Sequence, residues 1–228
     1  MPPPFPTQFL AAFLEGSTAA RWGFVIYRTT YTPYSSRRFP QLVNLFSSCM
    51  RRELFKEHAS DRFDTTGRPI PDCRAMYDLI WARHRPVIMD DPAKFEGMTL
   101  DAVRSHFEGW VGPRPPAEEE ERDVGTGVEV DFSRPPAQTH ACLVVDEEVL
   151  RVLTRAKPPP KDVHVEHLMP TTWWVKAVEA YPDLEDDPPE VWDGTLKVPI
   201  RGLWRFWQQV DYPASMQLLT TNHGMFEA

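Results

Sequence analysis

The chain has 228 residues, 42% of them apolar and 12% aromatic, with a formal net charge of −8. A chain of that length hides roughly 70% of its unfolded surface and needs no disulfide or metal to hold a core. The acidic balance argues against a general nucleic-acid binder, which needs a basic face, and three cysteines without CxxC spacing exclude a disulfide framework and a zinc cluster.

Taken in chain order, residues 1–20 read as a proline-rich tail and a short amphipathic segment. The run FLAAFL at 9–14 follows no Lys or Arg and stops at Glu15. A secretory signal is longer and follows a basic stretch, and a membrane span needs roughly 20 apolar residues, so no membrane partner is expected. The sparse cysteines suit a reducing, cytoplasmic location.

Residues 21–169 read as an α+β core. WGFVIYRTTY, from Trp22 to Tyr31, is rich in β-branched and aromatic residues and is the best strand in the sequence. Alternation puts Phe24, Ile26 and Arg28 on one face, with Val25, Tyr27, Thr29 and Tyr31 on the other. Ser35 or Ser36 then caps a helix whose apolar residues Phe39, Leu42, Val43, Phe46, Met50 and Leu54 recur at spacings of three and four. Pro40 fits only near its first turn. Residues 58–77 read as a loop. Asp78 to Met89 reads as a second strand, bent or confined to an edge at Pro86. Thr99 caps a helix through Leu100, Val103, Phe107 and Val111, and Gly112-Pro113 stops it.

Residues 113–138 are rich in proline and acid, around Glu118 to Glu121, and read as an exposed insertion. His140 to Val145 is a short apolar strand, and Asp146 caps a helix carrying Val149, Leu150 and Leu153. Val163 to Leu168 alternates as a strand does. Residues 170–228 form an aromatic C-terminal extension: a short helix capped by Thr171 or Thr172 and running to Tyr181, an Asp193-Gly194 turn, an extended piece at Lys197 to Ile200, and a helix at Leu203 to Val210. The order β-α-β-β-α-β is that of a ferredoxin-like unit. Such a unit leaves one sheet face open, either to a second copy in a homodimer or to the aromatic extension. The whole chain reads as a single domain.

WGFVIYRTTY, CLVVDEEVL and YPDLEDDPPEVWDGTLKVP together resemble a family of uncharacterised proteins common in filamentous fungi. The resemblance spans Trp22 to about Pro199. It implies a fungal, cytosolic origin and attaches no activity or catalytic residue.

The glycine-rich nucleotide loops, GxSxG, HExxH and the EF-hand loop are all missing from the sequence. No cofactor is expected. The richest polar spot is VHVEH, from Val163 to His167. On a strand, His164 and Glu166 share a face, which suits a general base with an orienting carboxylate, a metal pair completed by His140, or a water-facing edge strand. In the ferredoxin-like arrangement the face away from the helices collects His140, Cys142, His164, Glu166, Tyr27 and Tyr31, with Trp81 and Arg83 from the second strand. Apolar walls with a few converging polar groups are the usual shape of a small-molecule site. Arg28 interrupts an apolar face and needs a partner, as a structural ion pair or an anion anchor. Trp204 and Trp207 share a helical face, as core or as the lid over an apolar ligand. Arg37, Arg38, Arg51 and Arg52 read as a solvated helix face or as a local basic patch.

Three functions fit these residues. The first is a cofactor-independent enzyme for isomerisation, dehydration or cyclisation of a small hydrophobic molecule, with His164, His140, Glu166 and Tyr27 at the chemistry and Tyr31, Trp81, Arg83, Arg28, Trp204 and Trp207 binding substrate. The second is a non-catalytic interaction or ligand-binding protein. The third is a metal-dependent hydrolase using His140, His164 and Glu166.

Overall fold

The computed structural model describes residues 20–60, 74–112, 136–158, 169–182 and 192–210, together with Leu10, Leu14, Gly16 and Met216. The expected strand at 163–168 and most of the insertion, residues 113–135, lie outside the described residues.

The sheet grows from β1 (Val25–Arg28), all four of whose side chains are buried. β2 (Val87–Met89) and β3 (Ala141–Val145) flank it, both parallel to it. β4 (Trp174–Glu179) and β5 (Thr195–Pro199) continue from β3 as antiparallel strands. The order is β2-β1-β3-β4-β5. The chain is therefore α+β with one mixed sheet, and the described strands do not run in the ferredoxin-like order.

The reason is visible in β1 and β3. Their near-continuous apolar runs, VIY and ACLVV, mark strands covered on both faces, as parallel strands are. One face carries Phe24, Ile26, Leu143, Val145, Val175, Ala177 and Val198 under α1 (Pro33–Ser60), α2 (Arg74–Ala82), α6 (Glu147–Val152) and α7 (Leu203–Val210). The other face carries Val25, Tyr27, Cys142, Val144 and Val178 under α3 (Pro92–Phe95) and α4 (Leu100–Val111). The face that a ferredoxin-like unit would offer to a second copy is occupied by this chain's own helices. Leu10 and Leu14 of the N-terminal segment are buried in the first layer.

Three elements differ from expectation. The stretch 78–89 is split: α2 takes Tyr77 and Ile80, three apart, to the first core, and only VIM beyond Pro86 is extended. The stretch after Thr172 is a strand, because Val175 and Ala177 alternate inward from β4. The helix expected from Ser35 or Ser36 begins earlier, at Pro33. Thr32 Oγ1 accepts from the Ser35 N–H at 3.1 Å and Ser35 Oγ accepts from the Thr32 N–H at 3.0 Å, a reciprocal box that closes the first turn. Pro40 then lies inside α1, on its exposed side, where water can serve the carbonyl its ring leaves unpaired. A short α5 (Pro136–His140) precedes β3.

Two caps are as read. Thr99 Oγ1 accepts from the Ala102 N–H at 3.2 Å to start α4, and Asp146 Oδ1 accepts from the Val149 N–H at 2.9 Å to start α6.

Candidate functional site

β1 leads into α1 on one face of the sheet, and β2 leads into α3 and α4 on the other. The chain runs from β1 outward to β2 and returns past β1 to β3, so the strand order reverses between β1 and β3, and their carboxyl ends are the topological switch point, the place where open α/β sheets bind ligands. Polar residues gather there.

Arg28 ends β1 and is only 6% exposed. Its Nε–H donates to Thr30 O at 3.0 Å, and its terminal nitrogens donate to Ser35 Oγ at 2.9 Å, Ser36 Oγ at 2.8 Å and Asp90 Oδ1 at 3.3 Å. Its guanidinium lies 4.3 Å from the Tyr31 ring centre and 5.5 Å from that of Phe39. This is a satisfied buried cation that ties β1, β2 and the first turn of α1 together. The Tyr31 hydroxyl is pushed up to about 12, first by burial and then by the Asp90 carboxylate. Beyond the end of β3, Lys176 Nζ meets Asp146 Oδ2 at 2.5 Å and Glu148 Oε2 at 2.7 Å. Burial pulls this lysine down, but the two carboxylates outweigh it and hold it above its ordinary value.

On the α4 side of β1 the Tyr27 hydroxyl meets His106 Nδ1 at 2.8 Å. Tyr27 is wholly buried. Its ring meets Phe95 edge-on at 5.4 Å, and Phe95 meets the His106 ring at 5.1 Å and 89°. Phe107, Cys142 and Met98 belong to the same apolar cluster. Burial, reinforced by Cys142, drives the Tyr27 hydroxyl far above its ordinary value, so it stays protonated. Its role is to hold the imidazole. His106 itself is half-buried, and its Nε2 bonds to no described residue.

Tyr27, Tyr31 and Cys142 share a face, as alternation requires. The other expected site residues are not gathered with them. Tyr27 pairs with Val144, whereas His140 ends α5 just before the amino end of β3, roughly 10 Å or more away at about 3.3 Å per strand residue. Its carbonyl accepts from the Ala180 N–H at 2.8 Å. Trp204 and Trp207 pack against Trp22 on the opposite face, with ring centres 5.5 and 5.3 Å away, as core. Trp81 stacks on His84 at 4.6 Å on that same side, and the Arg83 carbonyl accepts from Trp22 N–H at the amino end of the strands. His164 and Glu166 lie outside the described residues. Among the described residues no three His, Cys, Asp or Glu side chains gather as metal ligands, and no helix is long and apolar enough to cross a membrane.

Sequence reasoning missed His106. It lies one position before Phe107 and three after Val103 on a helix whose apolar stripe is plain, so the ring had to flank the buried face. That signal existed, but nothing in the sequence paired it with Tyr27, 79 positions away.

Comparison with protein-family models, curated proteins and solved structures finds no match to this chain.

Proposed function

We propose that the protein carries out acid–base chemistry on a small hydrophobic molecule at the carboxyl end of β1. His106 touches the substrate and Tyr27 positions it. One observation carries the reading: a half-buried imidazole whose Nε2 bonds to no described residue is held by a buried hydroxyl at 2.8 Å, among apolar side chains, at the sheet's switch point. Phe95 and Phe107 supply apolar walls. His106 replaces His164 and His140 as the group at the centre of the chemistry. A cytoplasmic location and kinship with the filamentous-fungal group belong to the same proposal, supported by the sparse cysteines and the WGFVIYRTTY strand.

The test is proton exchange. The protein is incubated in D2O with a panel of apolar keto and hydroxy compounds, and deuterium uptake is followed by NMR. The expected result is catalysed exchange in at least one compound, reduced about 100-fold or more in His106→Ala and about 10-fold in Tyr27→Phe. A wild type inert across the panel, or a folded His106→Ala variant as active as wild type, overturns the reading.

The non-catalytic reading has its own observation. Ile88 on edge strand β2 and Tyr34 at the start of α1 are 40% and 41% exposed, the exposed large hydrophobic residues among those described. Each offers another molecule an apolar contact without chemistry, one on the outer strand and one at the start of α1.

A further inference from the structure

A neutral imidazole gives the Tyr27–His106 contact two arrangements of hydrogen. Either the Tyr27 O–H donates to Nδ1 and the imidazole proton is on Nε2, or Nδ1–H donates to the phenolic oxygen and Nε2 is a bare lone pair. An imidazolium, protonated on both nitrogens, would donate to the phenolic oxygen as the second of them does. The two arrangements make opposite sites: the first presents a donor to a ligand, the second a base.

The surroundings of Tyr27 decide between them. The ring is wholly buried against Phe95, Phe107 and Val25, and His106 Nδ1 is the one hydrogen-bond partner of its hydroxyl among the described residues. The hydroxyl keeps its proton, because burial disfavours the phenolate. If Nδ1 carried the imidazole proton, the Tyr27 O–H would have no described acceptor. A buried donor left unmade is costly enough to bias the two forms by roughly tenfold or more.

We infer that His106 meets its ligand as a neutral imidazole with the proton on Nε2, and that the ligand is an apolar carbonyl compound whose oxygen accepts that N–H. A neutral imidazole donor polarises a carbonyl without adding charge. The apolar neighbours Phe95, Phe107 and Met98 match an uncharged ligand body. The net charge of −8 works against drawing in an anion, which makes the carbonyl the favoured acceptor over a carboxylate. The inference rests on the proposed site and sharpens it: in the resting state His106 is the acid, or the electrophile, and not the base.

Histidine-selective 15N labelling of the full chain tests the tautomer through long-range 1H–15N couplings at pH 7.5. Wild type should show His106 protonated at Nε2 and unprotonated at Nδ1. Tyr27→Phe should move the ring toward the tautomer mixture of free histidine. A dominant Nδ1–H form in wild type, or an unchanged ring in Tyr27→Phe, overturns the inference. The ligand class is read with two probes of one shape, 2-acetylnaphthalene and 2-ethylnaphthalene. The ketone should bind about tenfold more tightly and shift the Nε2–H resonance of His106. Equal affinities, or a ketone that leaves Nε2 unmoved, overturn the carbonyl assignment. Neither readout needs turnover. Failure of proton exchange with the tautomer as inferred would sink the acid–base reading alone, and exchange by an Nδ1–H enzyme would sink this inference alone.

Discussion

Arg28 shows how one side chain can define a local structure. It is buried, yet four of its N–H groups find acceptors on three segments: the β1–α1 turn, the first turn of α1 and the end of β2. Arg28→Met keeps the bulk and removes those donors. Ser35 Oγ, itself fully buried, and Thr30 O would each lose a partner. Chemical denaturation should show a loss of about 2–4 kcal/mol. Asp90→Asn should cost about 1 kcal/mol or less, because the Asp90 side chain is 36% exposed and solvent screens the pair. An equal loss in the two variants would mean that the ion pair, and not the serine network, holds the turn. His84 makes the opposite case, a buried group that resists charge. It lies between Trp81 and Trp22, 6% exposed. Burial first, then Arg85, lowers it from 6.5 to about 4. The unfolded chain therefore binds a proton that the folded chain refuses between those values. Stability from this group is complete above pH 6.5 and is lost as pH falls towards 4, roughly 3 kcal/mol over the window. Urea midpoints from pH 7.5 to 4.5 should fall in wild type and fall less in His84→Phe.

At the scale of elements, the parallel pair β1–β2 depends on a close approach that only glycine allows. Gly23 has φ +133°, and a Cβ there would lie 2.9 Å from the Pro86 nitrogen, a backbone atom that cannot swing away. The Gly23 carbonyl also accepts from the buried Gln138 Nε2 at 2.9 Å. Gly23→Ala should destabilise by about 2–4 kcal/mol, from backbone strain and overpacking together. A thermal midpoint within a degree of wild type would show that β2 can move aside. The sequence marks this position only as a glycine in a strand, which signals close backbone approach in general terms. Elements with chemical punctuation were legible: Thr99 and Gly112 bound α4, and Asp146 begins α6. Two short elements, α2 and β4, were misread. Tyr77, Ile80, Val175 and Val178 belong to short apolar runs, in which helix and strand periods overlap over so few residues that packing decides. The Asp193-Gly194 turn was readable because its chemistry is local: Asp193 Oδ1 accepts from the Thr195 N–H at 2.8 Å and Gly194 has φ +74°.

At the scale of the whole molecule, both sheet faces are covered by helices of the same chain. Association through a sheet face would require α3 and α4 to leave first. Light scattering after size exclusion should therefore give the mass of one chain at micromolar concentration. A stable dimer would have to use an edge, and substituting Ile88, exposed on the outer strand, with Lys should then dissolve it. The strand at β1, the caps of α4 and α6, and the separation of Tyr27 and Arg28 to opposite faces are written in short stretches of sequence, because propensity, capping and alternation are properties of a few neighbouring residues. The mixed, doubly covered sheet, the packing of Trp204 and Trp207 against Trp22, and the meeting of Tyr27 with His106 emerge only in the folded chain. Those facts join residues far apart in the chain, and which distant partners meet is set by how whole layers bury their apolar faces, a choice that no local pattern records.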